Sequence, residues 1–151
     1  MRMESIDTVG FDMDYTLAIY KPELMTLAAK LALTVMVEEK GYPEHVLQLG
    51  YDPDFPLRGI VIDKKKGTLF KMDAHRHINR VFHGTRRLSK RERRRLYRHE
   101  VVRISAPRYA PLDTLFELPE ASLFAGLVDL EGKKKKGGRS AAYARLYDDL
   151  R

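Results

Sequence analysis

Ile6-Asp7-Thr8-Val9-Gly10-Phe11-Asp12-Met13-Asp14-Tyr15-Thr16-Leu17 decides how the rest of the chain is read. Ile6–Asp12 is short, apolar and partly β-branched, which predicts a buried strand. Asp12 then stands at the carboxyl end of that strand, where open α/β sheets place their ligands. Asp14 follows two residues later, as the chain leaves the strand, so both carboxylates can face one small space. Two carboxylates held that close share a proton or a cation. Mg²⁺ suits them, because it takes oxygen ligands and often uses only one or two carboxylates beside water and phosphate. A carboxylate can also act as a nucleophile and form an aspartyl-phosphate, while a second protonates the leaving group and then activates water. A bare pair of aspartates is equally what a polar loop after a strand would show. The longer string is more specific.

Composition sets the class. The chain has 151 residues, 44% hydrophobic and 32% charged, which fits one globular core. No apolar run approaches the length needed to span a bilayer, and the N-terminus lacks a signal-peptide pattern, so neither a membrane nor an export route is expected. With no cysteine, disulfides and thiolate metal sites are excluded, and a reducing cytoplasm is compatible. The net charge of +7 favours anionic partners. Ten Lys or Arg against two Glu fall between Arg86 and Arg108, and Lys133–Lys136 is a second cluster.

Along the chain, Pro22 to about Lys40 reads as a helix with Leu24, Leu27, Ala28, Leu31 and Val35 on its apolar face, Met25 and Met36 as core filling, and Gly41 as its stop. Glu44–Leu49 is a short helix. Arg58–Asp63, Thr68–Met72 and Ile78–Phe82 predict a small antiparallel β-meander with one apolar face that includes Ile60, Ile62 and Leu69. His75, His77 and His83 cluster near Asp73, but their spacing does not imply convergence on one ion. Ser89 caps a basic helix, Lys90–Arg98, with Glu92 completing a capping box. Pro107–Pro111 reads as a link, Ala121–Leu130 as an apolar helix, Glu131–Gly138 as a loop, and Ser140–Arg151 as a last helix with Ala142, Leu146 and Leu150 on one side. Asp148 and Asp149 form a tempting acidic pair inside that helix.

Phe11-Asp12-Met13-Asp14-Tyr15-Thr16-Leu17 resembles motif I of the haloacid dehalogenase superfamily of phosphatases, and its wording through Tyr20 is similar to the cytosolic purine 5'-nucleotidase branch. Gly41-Tyr42-Pro43, Tyr51-Asp52, Phe55-Pro56-x-Arg58-Gly59, Gly67-x-Leu69-x-Lys71-x-Asp73, Thr114-Leu115-Phe116-x-Leu118-Pro119-Glu120 and Leu127-Val128-Asp129 look like further family landmarks, in order. The resemblance implies an α/β protein: residues 1–20 as the first strand and motif I of a Rossmann-like core, then residues 21–151 as a mixed α+β cap segment. It implies a cytoplasmic, Mg²⁺-dependent 5'-nucleotidase acting on nucleoside monophosphates such as IMP or GMP, with a homo-oligomer allowed for.

In that resemblance Asp12 matches the nucleophile and Asp14 the general acid/base, with both at the metal and Asp14 contacting it through its backbone. Thr16 supports the loop, Phe116 lies near the base, and Arg151 matches a substrate-contacting arginine of the cap. Asp113 departs from the asparagine of relatives that bind a nucleotide effector. The superfamily's later Ser/Thr, Lys and acidic motif have no counterpart here, and only one strand of a parallel core is visible. The expectation is therefore an N-terminal portion of a longer enzyme, an incomplete domain with little catalysis of its own. The alternatives are a non-catalytic relative and a basic nucleic-acid- or nucleotide-binding module using Arg86–Arg108, with Tyr97 and Tyr109 to stack bases. Motif I ranks a nucleotide substrate ahead of nucleic acid.

Overall fold

The computed structural model describes residues 6–55, 59–98, 100, 102–134 and 140–151. They form a mixed α/β structure. Helix α1 (Pro22–Glu38) is followed by a 3₁₀ turn at Glu44–Gln48, then strands β1 (Ile60–Asp63), β2 (Thr68–Met72), β3 (Ile78–His83) and β4 (Arg86–Arg87). Helix α2 (Lys90–Tyr97), strand β5 (Tyr109–Leu112), a 3₁₀ turn at Leu115–Glu117, α3 (Leu118–Lys134) and α4 (Ser140–Leu150) complete the order. The five strands make one antiparallel sheet, β4-β3-β2-β1-β5.

The meander forms where alternation predicts it, although Arg58, where the first strand was expected to begin, lies outside the described residues. Its burial is two-sided rather than one-sided. Ile60, Ile62, Leu69, Ala110 and Leu112 face a helical layer of α1, α3 and α4. Val61, Phe70, Val81 and Tyr109 face the opposite way, toward Leu88 and Tyr97. Successive residues of a strand point to opposite faces, so an uninterrupted run such as Ile60-Val61-Ile62 serves both layers. The expected link at Pro107–Pro111 is in part a strand. β5 pairs with β1 at the sheet edge, with Pro111 opposite Val61, and an edge position is where a strand tolerates a residue without an N–H.

Helix α1 runs as expected from a proline at its start, and Gly41 follows its end at φ +70°. Its buried side is Ala29, Leu33 and Met36. The stripe Leu24, Leu27, Leu31 and Val35 is on the outside, 39–56% exposed. This helix is apolar on both sides, so periodicity alone does not say which side meets α3. In α4, Tyr143, Leu146, Tyr147 and Leu150 are buried, at i, i+3, i+4 and i+7. The Asp148–Asp149 pair is structural. Asp148 pairs with Lys64 at 3.2 Å, and Asp149 accepts from Tyr42 at 2.8 Å and Arg145 at 3.3 Å. Burial first, then that bond, pushes the Tyr42 hydroxyl up to about 12. The expected loop over Glu131–Gly138 is helical as far as Lys134, and residues 135–139 lie outside the described residues.

The largest departure is at the start. Ile6–Asp12 has no regular secondary structure, and Val9 and Phe11 are 68% and 73% exposed. A strand needs a neighbour for its N–H and C=O groups, and none of the five strands lies beside this segment.

Helix α2 starts as its sequence dictates. Ser89 Oγ accepts from the Glu92 N–H at 3.3 Å, and the Glu92 carboxylate accepts from the Ser89 N–H at 2.8 Å. Such a cap contributes about 1 kcal/mol. The Arg86 guanidinium, then the Ser89 N–H, hold the Glu92 carboxyl down at about 2, against an ordinary 4.5. A carboxyl depressed in the folded state stabilises fully above its ordinary value and loses that contribution as pH falls. Helix α2 is therefore expected to loosen between pH 4.5 and about 2. Amide exchange of its residues should follow that window in the wild type and be flat across it in Glu92→Gln. Identical profiles for the two proteins would contradict the capping role.

Candidate active site

Asp12 and Asp14 sit in a tight loop built on one carbonyl. The Met13 C=O accepts from the N–H groups of Thr16, Leu17 and Ala18 at 3.3, 2.9 and 2.9 Å, and the Tyr15 N–H donates to Ala18 C=O at 2.8 Å. The reversal puts Tyr15 at φ +60°, a left-handed conformation uncommon outside glycine. Both carboxylates are held from within the loop. Thr16 Oγ1 donates to Asp12 Oδ2 at 3.4 Å, and the Tyr20 hydroxyl donates to Asp14 Oδ1 at 2.5 Å. That bond to Asp14 raises the Tyr20 pKa, which keeps the hydroxyl a donor. Asp12 Oδ1 and Asp14 Oδ2 have no hydrogen-bond partner among the described residues.

Phe116 reaches the same place from far along the chain. Its 3₁₀ turn is fixed by Glu117, whose Oε2 accepts from the Asp113 N–H, the Thr114 N–H and Thr114 Oγ1, each at 3.0 Å. The Phe116 ring then lies 5.9 Å from Tyr15 and 5.4 Å from Tyr20, and those two rings are 5.5 Å apart. These separations suit edge-to-face aromatic contact. Phe116 remains 44% exposed, so part of its ring is open to a planar ligand. Tyr15 and Tyr20 carry no role in the sequence reading. The only signal for them is their position either side of Thr16-Leu17.

Arg151 is not drawn into this group. It follows α4 with an exposed side chain and its N–H on the Tyr147 carbonyl at 3.3 Å, and it makes no bond to Asp12, Asp14 or Phe116 among the described residues. No Lys or Arg pairs with Asp12 or Asp14 among the described residues either. The histidines serve elsewhere. Asp73 Oδ1 accepts from the N–H groups of His75 and His77, both at 2.9 Å, and His83 packs edge-on against Tyr143 at 5.8 Å. Among the described residues no three His, Cys, Asp or Glu side chains gather in a metal-binding group. As a donor set, the Asp12 carboxylate and the Asp14 backbone C=O would fit Mg²⁺, which needs few protein ligands when phosphate and water supply the rest.

Comparison with known proteins settles the family. The model of the 5' nucleotidase family matches residues 1–151. This chain belongs to that family. A 5'-nucleotidase domain-containing protein of Dictyostelium discoideum is 36% identical over 132 residues, which are 85% of this chain and 22% of the relative. The chain thus spans about a fifth of the length of that curated relative. Among the described residues no helix is long and apolar enough to cross a membrane.

Proposed function

We propose that this chain carries the nucleophile loop of a cytoplasmic nucleoside 5'-monophosphate phosphohydrolase of the haloacid dehalogenase type, with IMP and GMP among its substrates. The observation that supports it is Tyr20, whose hydroxyl holds Asp14 while its ring meets Phe116. One side chain thereby couples the carboxylates to an exposed aromatic surface on which a purine can lie.

In this reading Asp12 Oδ1 attacks phosphorus, and the bond to the 5'-oxygen breaks. Asp14 gives its proton to that oxygen, which leaves as the nucleoside hydroxyl. Asp14 then takes a proton from water as the water oxygen attacks the aspartyl-phosphate, releasing phosphate and restoring Asp12. The Asp12 carboxylate and the Asp14 backbone C=O would hold Mg²⁺, whose charge offsets that of the phosphoryl oxygens, leaving Asp14 Oδ2 free to carry the proton. Thr16 and Tyr20 each orient one of the two carboxyl groups through a hydrogen bond.

Phosphoryl transfer depends on positioning and on neutralising charge at the transferred group. The described residues bring two carboxyl groups to a dianionic phosphate and no cationic side chain beside them. Arg151 is the candidate the resemblance offers, as a substrate contact. We therefore propose that the 151 residues alone turn over weakly.

The test is Mg²⁺-dependent phosphate release from a panel of nucleoside monophosphates, by this chain and by a version continued to the length of its relatives. Release by the longer form, lost on chelation, is the expected result. Release by neither form would remove the catalytic reading, and full activity in the short form would overturn the charge argument.

A further inference from the structure

Arg91, Arg94, Arg95 and Arg98 recur at i, i+3, i+4 and i+7, so they share one face of α2. All four are exposed, and none makes an ion pair or side-chain hydrogen bond among the described residues. Other basic residues nearby are engaged: Arg86 with Glu92, Arg93 with the Asn79 carbonyl, and Arg108 and Lys66 with Glu100. The inner face of α2 is anchored by Tyr97, whose ring meets Phe70 at 5.5 Å. The outer face is these arginines with Lys90, and no acidic residue.

The arrangement costs the helix locally. Arg91–Arg95 and Arg94–Arg98 are like-charge pairs at i, i+4, which destabilise a helix, and Arg91 near the N-terminus opposes the helix dipole. A merely solvated face would interleave Glu with Lys or Arg. The four guanidinium groups line a concavity of about 840 Å³. Arg94 and Arg98 also line a neighbouring one of about 370 Å³ with Arg76, and Arg76 reaches a third of about 320 Å³ with Arg103. Seven arginines in all, Arg93 among them, line these three neighbouring hollows, beside His77 and the apolar Ile78, Val102 and Ile104. Their one carboxylate, Glu100, is already paired with Lys66 and Arg108.

A row of planar, forked donors matches a row of phosphates. The stripe holds no apolar side chain to enter a bilayer, as membrane-surface helices require. Nor do the two tyrosines offer rings to unpaired bases, and of the lining only His77 presents an exposed ring. Tyr97 and Tyr109, the stacking candidates of the sequence, are 8% and 9% exposed and pack on Phe70. We propose that the outer face of α2 binds the phosphate backbone of a nucleic-acid duplex without reading its sequence.

The test is fluorescence anisotropy of labelled 20-base-pair RNA and DNA duplexes with the 151-residue chain between 50 and 200 mM salt. Four phosphate contacts give a slope of log K on log salt of about −3.6, or an affinity loss of about 150-fold over that range. Arg95→Gln should flatten the slope by about 0.9 and the Arg94→Gln/Arg98→Gln pair by about 1.8. The fourfold Arg→Gln variant, checked for retained fold by circular dichroism, should lose binding, whereas Lys30→Gln on α1 with Lys40→Gln just beyond it should not. Binding of either duplex form meets the expectation, and the tighter form names the source. No binding at 50 mM salt, equal affinity for a single strand, or displacement by polyglutamate or phosphatidylserine vesicles at matched charge would overturn the proposal.

Discussion

Arg108→Met is expected to destabilise the fold by about 3–5 kcal/mol, the cost of leaving a buried charge without its partner. The partner is Asp63, the last residue of β1, fully buried. Its carboxylate accepts from Arg108 Nε at 2.8 Å and Arg108 Nη2 at 2.5 Å, from the Tyr97 hydroxyl at 2.9 Å, and from the N–H groups of Lys65 and Lys66 at 3.0 and 3.2 Å. The arrangement extends outward. Arg108 also reaches Glu100 at 2.9 Å, Glu100 pairs with Lys66 at 2.7 Å, and the Lys66 ammonium lies 4.1 Å from the centre of the Tyr97 ring. Methionine keeps the aliphatic bulk of the arginine and removes the guanidinium, so the loss reads out charge rather than volume. Asp63→Asn in the same chain removes the stranded charge while still accepting from Lys65 and Lys66. The double variant should therefore recover more than half of the loss. Equilibrium denaturation of the two single variants and the double variant measures this directly. A loss below about 1 kcal/mol in Arg108→Met would mean the pair behaves as an exposed one.

Asp12→Asn carries the largest effect on chemistry. In the catalytically competent form, phosphate release should fall by about 10⁶-fold, the scale seen when a hydrolase loses its nucleophile. The substitution is well matched to the question. Thr16 Oγ1 donates to Asp12 Oδ2, and an asparagine oxygen can accept the same bond, so the loop keeps its shape. What goes is the charge and the ability to form an acyl phosphate. A matching Tyr20→Phe variant loses only the donor to Asp14 and should act mainly on the acid/base step, with a much smaller effect. Turnover retained in Asp12→Asn would reject the assignment of the nucleophile.

These residues also show what a sequence discloses. Ser89 and Glu92 were readable because a capping box is complete within four residues. The meander was readable because alternation and the turn at Lys64–Gly67 are local. Strand β5 was not, since its partner β1 is dozens of residues away and Pro107 and Pro111 argue for a link. The buried side of α1 was hidden by having two apolar sides. Ile6–Asp12 reads as a strand on its own residues, but strand formation depends on a neighbour that a single segment does not specify. At the candidate site, Asp12 and Asp14 were legible as a close carboxylate pair, and Phe116 came from family wording. The tyrosines that tie them together did not, because the meeting of Tyr20 with Phe116 is a tertiary event with no periodic signature. The two-sided sheet explains why α2, basic as it is, still docks: Tyr97 is buried on Phe70 and Leu96 packs on the same cluster.

The seam between β1 and β5 also sets an order of events in folding. Strands β1 to β4 join neighbours in sequence through short turns, so the meander closes small loops and can zip quickly. The Asp63–Arg108 clasp joins residues 45 apart, and closing a loop of that size carries an entropy cost that nearby contacts must first offset. Strand β5 should therefore add late, after α2 has covered Phe70. Substitutions at Arg108 should speed unfolding while leaving the folding rate nearly untouched. In the native protein the same seam should be the first part of the sheet to open to exchange.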